Sequence, residues 1–183
     1  MTTRVIIHVL SLTLAGVVAD NQAFCVRPSK EVTWPFIGTW RLVSYESRNE
    51  GGGVEYPLGR EVVGQLMYDG EGNMSALVAR ADVPPFASGD LRGGTDAEVR
   101  AAFDGFVAYF GTYSFDLRAG TVTHHVRSAS FPNWTGTEQV RYFKAEGVRL
   151  LLSTPIVVDG RHVTAILIWE RVGADPTQTR NLL

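Results

Sequence analysis

Within TVTHHVRSASFPNWTGTEQVRYF, residues 121–143, stand His124, His125, Glu138, Gln139 and Arg141, the densest polar chemistry of a chain whose surroundings are mostly apolar. An imidazole exchanges protons near neutral pH, and a guanidinium holds an oxyanion through a fork of donors. Such groups beside apolar walls could orient the polar end of a small molecule or steady an enolate-like charge. The stretch reads as two β-strands, 121–130 and 137–145, joined by the aromatic turn Phe131-Pro132-Asn133-Trp134. The pair is expected to form the polar floor of a pocket.

The elements that must position these residues are mostly strands. Trp40, Leu42, Ser44 and Glu46 alternate with Arg41, Val43 and Tyr45, which predicts a two-faced strand. Apolar runs 65–68 and 74–80 flank Asp69-Gly70-Glu71-Gly72-Asn73, a hairpin signature with a longer loop. Residues 82–95, with Pro84-Pro85-Phe86 and several glycines, suit a lid. Thr95-Asp96-Ala97-Glu98 matches a capping box. Val99, Ala102, Phe103, Phe106 and Phe110 continue at helical spacing, which predicts one helix packed on a sheet as a flap or plug, with Asp104 on a solvated flank. Strands at 112–117, 148–158 and 161–172 complete the set.

Two turns suggest registers. Asp159-Gly160 pairs Val158 with Arg161, hence Leu152 with Leu167 and Leu150 with Trp169. Glu146-Gly147 as a two-residue turn pairs Ala145 with Val148, and therefore Phe143 with Leu150, Arg141 with Leu152 and Gln139 with Thr154. With a side-chain period of two, Gln139, Arg141, Phe143, Leu150, Leu152, Thr154, Leu167 and Trp169 share one face. That face is the more apolar and is expected inside, whereas Glu138 falls outside. A buried guanidinium costs several kcal/mol unless paired, so Arg141 needs a partner. The candidates are Glu46, on the face of the first strand that carries Trp40, and a ligand carboxylate, enolate or carbonyl.

His124 and His125 are neighbours on a strand and point to opposite faces, so they cannot grip one metal together. A three-residue turn at Arg118-Ala119-Gly120 aligns His125 with Tyr113 and Phe115, and this reading is preferred. A two-residue turn instead aligns His124 with Phe115. In either case a neutral imidazole bonded within the protein is the plainer role.

The 183 residues suffice for one domain with its own core, at 36–172, after an N-terminal extension at 1–35 and before a tail at 173–183. A net charge of -2 with scattered Lys and Arg gives no nucleic-acid footprint. Residues 1–19 read either as a secretory signal peptide, cut after Val17-Val18-Ala19, or as an unrelated extension; the first implies a secreted or periplasmic protein, the second a cytoplasmic one. The apolar run is too short for a membrane span. The single cysteine, Cys25, permits no internal disulfide. Motifs for hydrolases, phosphate loops, dinucleotides and metals are missing, so no cofactor is implied. Monomer and homodimer both stay open.

About eight antiparallel strands and one helix imply a closed up-and-down barrel, an all-β fold able to hold a small ligand. Gly38-Thr39-Trp40 resembles the lipocalin signature, in which the Trp closes the barrel base and an Arg of the last strand stacks across it; Arg171 is the matching position. Pro84-Pro85-Phe86-Ala87-Ser88-Gly89-Asp90, Thr123-His124-His125, Phe131-Pro132-Asn133-Trp134 and Gly136-Thr137-Glu138-Gln139-Val140-Arg141 resemble the lipocalin-like domain family of bacterial and fungal proteins, a calycin-type barrel, over residues 36–171. The resemblance implies a barrel with a lumen. Two functions follow as expectations. One is a binding module for a small hydrophobic or aromatic molecule, walled by Trp40, Tyr113, Phe115, Phe143 and Trp169 and oriented by Arg141, Gln139 and one of His124 and His125. The other is a cofactor-free isomerase or cyclase in which His125 moves a proton while Arg141 and Gln139 steady an enolate. A barrel filled by its own side chains would serve neither.

Overall fold

Hydrophobic alternation along the strands gives the sheet one face to bury and one to wet, and the sheet meets that need by closing on itself through the pairing of its first strand with its last. The computed structural model describes residues 34–158 and 160–173. Its strands are β1 (Gly38–Asn49), the two-residue β2 (Val54–Glu55), β3 (Val62–Tyr68), β4 (Asn73–Arg80), β5 (Phe106–Asp116), β6 (Thr121–Ala129), β7 (Glu138–Glu146), β8 (Arg149–Val158) and β9 (Arg161–Arg171). Each long strand pairs antiparallel with its sequence neighbour, and β1 pairs with β9, which closes an eight-stranded up-and-down barrel with β2 as an appendage. Closure removes the free sheet edges that would otherwise seek partners. The extension at residues 1–33, with Cys25 and the candidate signal, lies outside the described residues, as does the tail beyond Gly173.

The hairpin registers are specified by their corner residues. Val158 pairs with Arg161, Leu152 with Leu167 and Leu150 with Trp169, as the Asp-Gly signal predicts. The β7–β8 turn instead centres on Gly147-Val148, pairing Glu146 with Arg149 and Phe143 with Leu152. Gly147 holds φ 59° and so takes the first corner position of a primed turn, which needs positive φ there. The expected pairing is displaced by two residues. An even displacement preserves the faces, so Arg141, Leu150, Leu152, Thr154 and Trp169 are buried as anticipated.

Two elements depart from their sequence patterns. The helix α1 (Asp96–Asp104) begins at the expected box, with Thr95 Oγ1 accepting from the Glu98 N–H at 3.3 Å and Glu98 Oε2 accepting from the Thr95 N–H at 2.7 Å. It stops at Gly105, whose N–H closes onto the carbonyl of Ala101, and Phe106 already starts β5. The helical stripe through Phe110 is thus two overlapping patterns. None of α1's residues is buried, and Val99 and Phe103 stay about half exposed. Asp104 is exposed and pairs with Arg100. In β1, a bulge between Leu42 and Ser44 reverses the alternation. Trp40 and Leu42 point inward below it, and Ser47 is buried above it.

Candidate ligand-binding site

The lumen divides along its axis. At the base, Trp34 (2 % exposed) inserts among Phe36, Tyr68, Tyr113, Phe115 and Phe143, with ring centroids 4.6–6.3 Å apart. Trp40 lies beside Phe36 and donates its indole N–H to the Phe36 carbonyl at 2.9 Å. The Arg171 guanidinium stacks 4.3 Å from the Trp40 ring and donates to the Ile37 carbonyl at 2.7 Å, the clasp that the Gly-x-Trp signature implies. Tyr113 donates to the Asp69 carbonyl at 2.7 Å. Trp40, Tyr113, Phe115 and Phe143, expected as pocket walls, therefore fill the base.

Above this layer the inward side chains shrink to Ala76, Val78, Thr154 and Ala165, and a cavity of about 80 Å³ opens. A single water needs roughly 10–15 Å³ on this scale, so the void is a real chamber. Tyr45, Val107, Tyr109, Trp134, Arg141, Leu152, Leu167 and Trp169 complete its wall. Of the expected site residues, Arg141 and Trp169 line it.

Arg141 is 6 % exposed. Its guanidinium donates to the carbonyl of Val140 at 3.2 Å and lies 5.9 Å from the Trp134 ring. The expected protein counter-ion is not there. The β1 bulge turns Glu46 to the outer face, opposite Ile166, where it pairs with Arg48 at 3.1 Å. Among the described residues, no ion pair involves Arg141. A desolvated cation in that state costs several kcal/mol, which the base and the rest of the core must offset.

His124, not the preferred His125, faces inward. The β5–β6 connection is a four-residue turn that pairs Asp116 with Thr121 and Tyr113 with His124, with Gly120 at φ 67°. This register differs from both readings of the turn. His124 is 0 % exposed, with Nε2 2.7 Å from the Tyr68 hydroxyl and Nδ1 3.0 Å from the Tyr109 hydroxyl. Burial, then the nearby Arg141 charge, then His125 hold its pKa well below the ordinary 6.5, so the ring is neutral. A neutral imidazole has one N–H and one lone pair. Tyr68 is buried with Nε2 as its hydroxyl partner, so its O–H donates there; burial raises its pKa well above normal and keeps that proton in place. The hydrogen-bond network thereby assigns the ring proton to Nδ1, which donates to Tyr109. The hydroxyl proton of Tyr109, at the cavity wall, is left to donate elsewhere.

His125 lies on the outer face, Nε2 2.9 Å from Ser114 Oγ and Nδ1 3.1 Å from Glu138 Oε1. It does not line the chamber in the lumen, where the proton transfer expected of His125 was to take place. Gln139 stays on the inner face opposite His124 but spends its amide on Thr137 Oγ1 at 2.9 Å, above the cavity wall. Tyr45 and Tyr109 were missed because the bulge hides the first and the helical stripe absorbs the second. The alternation of Val107, Tyr109, Gly111, Tyr113 and Phe115 after Gly105 was the available signal.

Among the described residues, no cluster of His, Cys, Asp and Glu could hold a metal ion, and no helix is long and apolar enough to cross a membrane. No solved structure matches the chain. It is 35 % identical over 107 residues to the 4'-hydroxy-3'-methoxypropiophenone carrier protein ppsC of Aspergillus oryzae, a match spanning 54 % of this chain and 96 % of that protein. Residues 37–172, from the Arg171 clasp at the base through the whole chamber, match the lipocalin-like domain, and the chain belongs to that family.

Proposed function

We propose that the barrel binds a small hydrophobic or aromatic molecule in the chamber above the aromatic base. The observation that carries this reading is a void walled by Leu66, Val78, Leu152, Leu167 and Trp169, into which only a few polar groups converge. Trp134 and Trp169 offer ring faces, while Arg141, Tyr109 and Thr154 fix the polar end. The relative named as a carrier of an aryl ketone supports a single-ring aromatic ligand. The test is titration with 4'-hydroxy-3'-methoxypropiophenone and a panel of small apolar compounds, followed by tryptophan fluorescence and native mass spectrometry. One-to-one binding, weakened by Leu167→Trp in the wall, is expected. A panel that changes neither mass, fluorescence nor melting temperature would remove the reading.

A second reading, a cofactor-free isomerase or cyclase, is favoured by the Tyr68–His124–Tyr109 chain, which ends at the cavity wall. Catalysis would then require Tyr109 rather than His125. Unaltered recovery of every bound compound after prolonged incubation argues for the carrier alone.

A further inference from the structure

The donors around the chamber are not matched by acceptors. Arg141 carries five N–H groups in a fixed fork, and one of its nitrogens has a carbonyl partner, that of Val140. The ionisable groups facing it are Tyr45 on β1, Tyr68 on β3, Tyr109 on β5 and His124 on β6. On β8 and β9 the facing wall is Leu152, Thr154, Ala165, Leu167 and Trp169. Among the described residues none of these elements supplies a carboxylate to the chamber.

The hydrogen-bond chain has the same polarity. Because Tyr68 donates to His124 and His124 donates to Tyr109, the Tyr109 hydroxyl can satisfy its own proton only by giving it to something else. The indole N–H of Trp169, also in the cavity wall, is buried without a hydrogen-bond partner among the described residues. A cation and two further donors thus face a space to which no described residue contributes a carboxylate.

We propose that the chamber takes its ligand as an oxyanion, the deprotonated form of an apolar or aromatic acid, with the charged oxygen on Arg141 and the Tyr109 hydroxyl. The inference rests on the binding function proposed above and specifies the protonation state that the site selects. A phenol acidified by a para carbonyl, an enol and a carboxylic acid all satisfy it. A neutral hydrocarbon or ether fills the apolar wall but leaves the guanidinium unpaired. Binding therefore lowers the ligand's own pKa, because the site favours one of its two protonation states.

The experiment uses the full chain and paired probes: 4-hydroxyacetophenone with its methyl ether, and an aryl carboxylic acid with its methyl ester. Phenolates absorb at longer wavelength than phenols, so the bound phenol reports its charge directly. At a pH below the free probe's pKa, the bound probe is expected to show the phenolate band. Its apparent pKa should fall by about one unit or more, equivalent to a tenfold tighter grip on the anion. Arg141→Met is expected to reduce the acid-to-ether affinity ratio to less than twofold, and Tyr109→Phe to reduce it several-fold. The wild-type spectrum stands alone should Arg141→Met fail to fold. Ether and ester binding as tightly as their acids, with an unshifted phenol spectrum, overturns the proposal while leaving the binding function intact. If no probe of either kind binds, the binding function falls and the proposal with it.

Discussion

The two halves of the lumen are built from the same alternation of strand residues and end up as opposites. The base is a close-packed set of rings around Trp34, sealed by the Arg171–Trp40 stack. Each well-set aromatic pair adds roughly 0.5–1.5 kcal/mol beyond its buried area, so the base is a concentrated source of stability. The upper half sets Ala76, Val78, Thr154 and Ala165 among its rings, keeps a void, and holds a cation that no carboxylate among the described residues pairs. Stability gathered at one end permits an unfavourable arrangement at the other. The unpaired guanidinium is what separates the halves, since among the described residues the buried indole N–H groups of Trp34 in the base and Trp169 in the chamber wall both lack a hydrogen-bond partner.

The contrast breaks most visibly at its centre. Trp34→Ala should lower stability by about 3–5 kcal/mol, read in denaturant or thermal unfolding, without changing which ligands bind. Leu150 and Leu152 give a finer comparison, since they lie two residues apart on one face of β8, one in the packed layer and one beside the void. Leu150→Ala should fall near the upper end of the ~2–5 kcal/mol range for such truncations, and Leu152→Ala near the lower end. A bound ligand should restore part of the second loss and none of the first. Equal losses would mean the upper half is as tightly packed as the base.

The histidines supply the smaller effects. The folded barrel keeps His124 neutral, whereas the unfolded chain protonates it near 6.5. Its contribution is therefore intact above pH 6.5 and is lost as the pH falls below that value, at up to about 1.4 kcal/mol per pH unit. A melting profile over that window should be steeper for the wild type than for His124→Asn. By contrast, His125→Ala, on the outer face, should change stability by no more than about 0.5 kcal/mol and leave ligand binding untouched.

Where local chemistry decides structure, the sequence was readable. The capping box at Thr95 and Glu98, the turn that pairs Val158 with Arg161 and the inward face of β7–β9 each depend on a few neighbouring residues, whereas the Trp40–Arg171 clasp, which joins the two ends of the domain, was legible through the resemblance of Gly38-Thr39-Trp40 to the lipocalin signature. The site depended on longer-range geometry. A single bulged residue in β1 exchanged Glu46 for Tyr45 in the lumen, and alternation alone cannot locate such a residue. The turn after Asp116 is one residue longer than the longest reading given to it, which exchanged His125 for His124. Trp34, within the segment read as an N-terminal extension, has its role only because β3, β5 and β7 bring Tyr68, Tyr113, Phe115 and Phe143 around it beside Phe36.

The β1–β9 pairing, which completes the cylinder, also sets the order of assembly. Its outward pair Arg41 and Glu170, 2.8 Å apart, lies 129 positions apart along the chain, so the seam joins the most distant parts of the domain. Contacts of such separation bear the largest loop-closure cost, so the seam is expected to close after the successive hairpins. Until then both seam strands are open edges exposed to neighbouring chains. Arg41, Arg48, Glu46 and Glu170 line them with charge, a recognised defence against edge-to-edge association while the cylinder is still a sheet.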